Sequence, residues 1–193
     1  MTRPMTSPTT SPMTTETLAF GSIGTVLGTL LAGATETGVA WLGWRDSPGA
    51  RARAAARAGL PVVDDPDRLA PILEGLAGYF SGEPRTFTLP VDWRLTSPLQ
   101  HRVLATLYES VPYGKVVTYG ELGARSEAGV PAQAIGQVMG SNPIPIIVPC
   151  HRVVASNGLG GYSGGSGIEV KRWLLTLEGS LPATLDWDPH TGP

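Results

Sequence analysis

A chain of 193 residues that is 41% hydrophobic and 16% charged can bury a core and is too apolar for general disorder. Its net charge is −2, and from Pro98 onward six Lys or Arg (Arg102, Lys115, Arg125, Arg152, Lys171, Arg172) stand against seven acidic residues. This excludes a broad basic field, so any affinity for nucleic acid must come from a local patch, with modest salt dependence. A single cysteine excludes an internal disulfide framework, and with only His101, His151 and His190 beside it no metal cage and no cofactor is expected.

Residues 1–15 are low in complexity and predict a disordered tail. The apolar stretch 18–34 ends in Ala32-Gly33-Ala34, as a signal peptide can, but Glu16 precedes it and Ser22, Thr25 and Thr29 interrupt it. A half-buried strand explains it better, no run is long enough to span a membrane, and a cytoplasmic protein with a reduced thiol is expected. Residues 22–32 and 39–44 read as two strands joined by a turn at Glu36-Thr37-Gly38. An Ala/Arg-rich helix over 49–59 stops at Gly59 and Pro61. A second helix starts with Asp65 as cap and Pro66 at its first position; Leu69, Ile72, Leu73, Leu76, Tyr79 and Phe80 recur at helical spacing. Ser81-Gly82 ends that helix, and residues 86–91 predict an extended segment leading to a linker. The first half, residues 16–92, thus reads as a small α+β domain without chemistry of its own, its Trp41, Trp44, Tyr79 and Phe80 assigned to the core.

The second half, residues 96–181, predicts short capped helices, followed by a tail over 182–193. Ser97-Pro98-Leu99-Gln100 and Thr118-Tyr119-Gly120-Glu121 are capping boxes. The second opens a helix of two turns ending near Ser126, and Pro131 opens another over 132–139, closed by Gly140. Two short helices joined by a Gly-containing turn fit a helix-turn-helix whose second helix faces DNA.

Residues 141–154, SNPIPIIVPCHRVV, carry the chemistry. Pro143, Pro145 and Pro149 forbid a helix, and Ile146–Val148 is expected as a buried extended segment leading rigidly to Cys150. His151 and Arg152 follow the cysteine and favour a thiolate if they fold close to it; in an extended chain His151 would reach it only through a turn or a water. The bland alternative is a packed cysteine beside a surface histidine.

Asn142-Pro143-Ile144-Pro145-Ile146 and Pro149-Cys150-His151-Arg152-Val153 resemble the active-site signature of the O6-alkylguanine-DNA alkyltransferases, or methylated-DNA–protein-cysteine methyltransferases. The likeness continues through residues 112–122, Gly161-Tyr162-Ser163-Gly164-Gly165 and residues 171–179. It implies an α+β fold, with a ribonuclease-H-like first domain and a mainly helical second domain holding the helix-turn-helix and the cysteine. It also implies irreversible transfer of an alkyl group from O6 of guanine, or O4 of thymine, to Cys150, by a monomer acting on double-stranded DNA without a membrane partner. By the same resemblance His151 is the base through a water, Glu178 orients the imidazole, and Asn142 braces the turn. Tyr119 attends the flipped nucleotide, Lys171 lies near the alkylated oxygen, and Val153 belongs to the substrate site. Tyr162 and Ser163 form a lid loop.

Where the family carries Arg in the second helix, filling the gap left by a flipped base, this chain has Gln133. Weaker base extrusion or DNA affinity is expected, with Arg125 and Arg152 as candidate phosphate contacts. Without the resemblance, Lys171 and Glu178 read as a solvated face near a helix C-terminus. Two rivals remain: a lesion-binding sensor without chemistry, which would lack the cysteine, and a cysteine hydrolase, which would need an oxyanion hole.

Overall fold

The computed structural model describes residues 15–83, 87–184 and 188–193. The expected N-terminal tail, apart from Thr15, lies outside them, as does Thr86 at the start of the expected extended segment. Among the described residues three strands, not two, come first: β1 (Leu18–Thr25), β2 (Gly28–Ala34) and β3 (Val39–Gly43). The missed turn is a two-residue hairpin at Val26-Leu27, with Thr25 paired to Gly28. Nothing in Val-Leu marks a turn, because tight hairpins normally show Asn or Gly at these positions. Instead the Thr25 hydroxyl accepts from Leu27 N (3.1 Å) and donates to Gly28 O (2.8 Å).

Helix α1 (Pro48–Ala58) is capped by Ser47, and β4 (Val62–Val63) adds a parallel strand beside β1, giving the sheet order β3-β2-β1-β4. Helix α2 (Pro66–Phe80) starts at the Asp65 cap and lays Leu69, Ile72, Leu76 and Tyr79 onto the sheet side of the core. No strand forms over residues 87–91; Val91 makes a single bridge to Val39.

In the second half, α3 (Pro98–Ser110) and α4 (Tyr119–Arg125) fall where their capping boxes placed them, both boxes closing in both directions, and α5 (Ala132–Gly140) follows Pro131 as expected. Two short strands lacked any sequence signal: β5 (Val117–Thr118) pairs in parallel with β6 (Val153–Val154). This pairing fixes the segment after Cys150 against the start of α4. Helix α6 (Ile168–Leu177) closes the fold. The buried apolar cluster runs unbroken from the sheet and α2 through α3, α5 and α6. The end of the chain packs back, with Trp173 Nε1 donating to Thr191 O at 2.8 Å. The fold is a mixed α+β arrangement, and among the described residues no helix is long and apolar enough to cross a membrane.

Candidate active site

The proline-rich segment departs from the expected extended run. Ile146, Ile147 and Val148 are buried, but successive turns fold them: Ile147 N donates to Pro145 O (2.9 Å), Val148 N to Ile144 O (2.9 Å) and Cys150 N to Val148 O (2.8 Å). Ile146 sits at φ 71°, a left-handed conformation that a β-branched residue holds only under constraint. The constraints are visible. Asn142 Nδ2 donates to Val148 O (2.8 Å), its Oδ1 accepts from Ile144 N (3.0 Å), and Leu42 N of β3 donates to Pro143 O (2.8 Å). The strand edge of the first half therefore grips the loop that presents the cysteine.

Cys150–Arg152 forms a single 3₁₀ turn, which swings His151 away from the direction it would take in an extended chain. Cys150 is 5% exposed and lines a cavity of about 360 Å³ together with Tyr119, Gly136, Met139, Gly140, Gly161, Tyr162 and Ser163. Burial pushes its thiol up; Asn142 and Tyr162, whose polar groups face the sulfur, and the Lys171 charge pull it back down. The buried Tyr162 hydroxyl has no hydrogen bond of standard geometry among the described residues, so its effect on the sulfur is a dipole nearby more than a formed bond.

Behind the cysteine, His151 is fully buried and its Nε2 lies 2.7 Å from Glu178 Oε1. Glu178 caps the C-terminus of α6, where the helix dipole disfavours an anion. Burial alone would raise its carboxyl, but His151 and Arg152 hold it far below the usual carboxylate range. An ionised carboxylate only accepts, so Nε2 carries the imidazole proton and Nδ1 is the bare, basic nitrogen. Nδ1 is buried with no hydrogen-bond partner among the described residues. Burial lowers the His151 pKa against the pull of Glu178, which keeps the ring neutral and able to accept a proton.

Two expectations need correction. Arg152 does not reach outward to phosphate: it is buried, with Nε 2.8 Å from Glu178 Oε2, Nη2 3.0 Å from Oε1 and Nη1 donating to Val111 O at 2.8 Å. Lys171 is no solvated residue near a helix C-terminus. It lies fully buried near the N-terminus of α6, where the dipole opposes a cation, and donates to Val153 O (2.7 Å) and Gly161 O (3.2 Å). Burial lowers its pKa to about 8, with the Cys150 sulfur acting in the opposite sense. Its Nζ also stands 5.8 Å from the Tyr119 ring centre.

Tyr119 opens α4, half buried, and its hydroxyl donates to Gly161 O at 3.3 Å. Val153 is buried and serves the site through its carbonyl. Ser163 is exposed in the loop before α6, its Oγ donating to Gly140 O at 3.2 Å. Gln133 in the first turn of α5 and Arg125 in the last turn of α4 are both exposed and stand apart from the cysteine cluster.

Two residues assigned to the core alone also serve the site. The Tyr79 hydroxyl donates to Glu178 Oε1 at 2.7 Å. Trp44 lies edge-on to Tyr162, with ring centres 6.3 Å apart, and packs so close to Gly164 that a Cβ there would meet its ring at 2.7 Å. Neither has a local signature.

A buried thiol that lines a cavity, followed in the chain by a histidine paired with a carboxylate, is an arrangement suited to a protein with a cysteine nucleophile. Residues 98–180 match the family model for the 6-O-methylguanine DNA methyltransferase DNA binding domain. A methylated-DNA–protein-cysteine methyltransferase of Mycobacterium tuberculosis is 44% identical over 123 residues, covering 63% of this chain and 72% of the relative. The inducible enzyme of that name from Bacillus subtilis is 37% identical over 130 residues, covering 67% and 70%. Among solved structures, Mycobacterium tuberculosis OGT in complex with DNA is similar, with TM-score 0.69, 32% identity and coverage of 86% of this chain and 96% of that one. The O6-methylguanine-DNA methyltransferase of Pyrococcus kodakaraensis is also similar, with TM-score 0.60, 28% identity and coverage of 84% and 99%. The chain belongs to the methylated-DNA–protein-cysteine methyltransferase family.

Proposed function

We propose that this chain repairs alkylated DNA by direct reversal, moving the alkyl group from O6 of guanine to Cys150. The observation that carries this reading is the buried Cys150 thiol lining a cavity of about 360 Å³, roomy enough for a purine, next in the chain to the His151–Glu178 pair. The thiol proton passes through a water to His151 Nδ1, the thiolate attacks the alkyl carbon in line, and the S–C bond forms as the C–O6 bond breaks. The electron pair leaves on the guanine, which takes up a proton. Burial and the nearby Cys150 raise the Tyr119 pKa, so its hydroxyl holds a proton it can donate there. The product is a thioether that no group in the site can hydrolyse, so each molecule reacts once.

The target oxygen lies on the paired edge of a stacked base, so the nucleotide must leave the helix at a cost of a few kcal/mol. We read α4 and α5 as a helix-turn-helix with α5 facing the groove, supported by their order and mutual packing. We read residues 16–92 as a ribonuclease-H-like domain and 96–181 as the DNA-binding domain. Tyr162 and Ser163 would cover the base, Lys171 would hold the lid backbone near the oxygen, and Asn142 would keep the loop rigid. The presence of Cys150 argues against a sensor without chemistry.

Intact-mass analysis tests this reading. After incubation with an O6-methylguanine duplex the protein gains one methyl group, and Cys150→Ala gains none. An unchanged mass in folded wild-type protein overturns it.

A further inference from the structure

We infer that Tyr79, reaching in from the first half of the chain, is a positioning residue of the transfer site: its hydroxyl fixes the Glu178 carboxylate that orients His151. The inference rests on the repair reading of Cys150 and adds a member to its relay. Tyr79 is 1% exposed, at the end of α2, 99 residues before its partner in sequence. Its ring is held by Phe80 and Phe87, each with ring centres 5.4 Å away, and by Tyr113 at 6.1 Å. Such a ring has little freedom, so the hydroxyl defines where the carboxylate can be.

The choice of acceptor matters. A buried tyrosine hydroxyl needs some partner, and a backbone carbonyl is enough. Tyr108 donates to Phe87 O (3.0 Å) and Leu89 O (3.1 Å), and Tyr113 to Leu177 O (2.9 Å). Tyr79 instead donates to Oε1 of Glu178, the same oxygen that His151 Nε2 approaches at 2.7 Å and Arg152 Nη2 at 3.0 Å. Three donors share one oxygen with two lone pairs. Each draws charge from it, so the Tyr79 hydroxyl weakens the pull of Glu178 on an imidazolium while holding the carboxylate in register with Nε2. The remaining oxygen takes Arg152 Nε (2.8 Å) and Gly114 N (3.4 Å), leaving the carboxylate little room to rotate. Burial and the Glu178 charge push the Tyr79 phenol well above its ordinary value, so it stays a donor throughout the working pH range.

This makes the first half of the chain a contributor to catalysis beyond packing. The charged or titratable groups around the pair are Arg152 and His151 from the cysteine turn, Tyr113 from the segment after α3, Tyr162 from the loop before α6, and Lys171 from α6, whose charge also lowers the His151 pKa.

The test is single-turnover transfer from an O6-methylguanine duplex to the full chain and to Tyr79→Phe, followed by intact mass across a pH series, with duplex affinity and Tm measured in parallel. Tyr79→Phe keeps the ring and removes only the hydroxyl. The expected result is a rate roughly 10-fold lower, a part of the roughly 10²–10⁴-fold that a positioned general base contributes. Duplex affinity stays unchanged, and the acid limb of the pH–rate profile moves to higher pH because Oε1 then stabilises the imidazolium more strongly. A variant with the wild-type rate and acid limb overturns the inference. So does a slower variant whose acid limb is unmoved, because lost stability alone accounts for that. Wild-type protein that gains no methyl group overturns the repair reading, and this inference with it.

Discussion

Arg152 and Glu178 form a two-point ion pair out of reach of solvent, Nε to Oε2 at 2.8 Å and Nη2 to Oε1 at 3.0 Å. The pair belongs to a wider buried cluster: Glu178 also takes Nε2 of His151, and Arg152 lies 5.8 Å from the Tyr113 ring centre. The arginine therefore points inward and helps to keep the Glu178 carboxylate ionised.

Removing one partner of such a pair leaves the other charge buried and alone, at a cost of about 3–5 kcal/mol. Arg152→Met is expected to lose stability in that range by urea denaturation, while the salt dependence of duplex binding stays the same. Arg125→Ala is expected to do the opposite, keeping its stability and lowering the salt slope by about 1, as loss of one phosphate contact does. A reduced salt slope in Arg152→Met would contradict its internal role.

Glu178 also makes stability depend on pH. Its folded pKa is depressed, so its contribution is complete above the unfolded carboxylate value of about 4.3 and fades as pH falls through and below it toward the folded value. His151, also depressed, acts in the same sense below about 6.5. Denaturation curves between neutral and acidic pH should show wild-type protein losing more stability than Glu178→Gln over the same interval. Parallel losses would mean that the carboxylate is not the linked group.

Gln133 stands exposed in the first turn of α5, away from the cysteine cluster. A guanidinium there would stack and attract phosphate as an amide cannot. Gln133→Arg is expected to raise duplex affinity and the repair rate on duplex, with a smaller change on the free alkylated base. Equal rates before and after the substitution would remove this position from base extrusion.

The loop over residues 161–165 offers a paired test. A Cβ at Gly164 would meet the Trp44 ring at 2.7 Å, so Gly164→Ala must move the loop or the indole. Its transfer rate should fall several-fold with little change in Tm, and adding Trp44→Leu should recover part of it. Two losses that simply add would show the contact to be unimportant.

Local chemistry was the most legible part of the sequence. The caps at Asp65, Ser97 and Thr118 located α2, α3 and α4, because a capping side chain and its helix are neighbours in the chain. The chemistry-bearing segment was legible too, since its prolines and its cysteine–histidine pair are contiguous. Less legible was whatever depends on partners far along the chain. Arg152 resembled a surface arginine because its acceptor is 26 residues away, and Tyr79 resembled core because its acceptor is 99 residues away. The Val26-Leu27 hairpin escaped for a different reason: the Thr25 side chain provides the hydrogen bonds that a Gly or Asn would otherwise announce.

The most direct measurement is a titration of wild-type protein with a duplex whose O6-methylguanine carries a radiolabelled methyl group, followed by peptide mapping. Label should rise to one equivalent per chain, reside in the peptide containing Cys150, and stop there however much substrate is added. Continued turnover, or label on any other residue, would contradict a thiolate consumed by its own reaction.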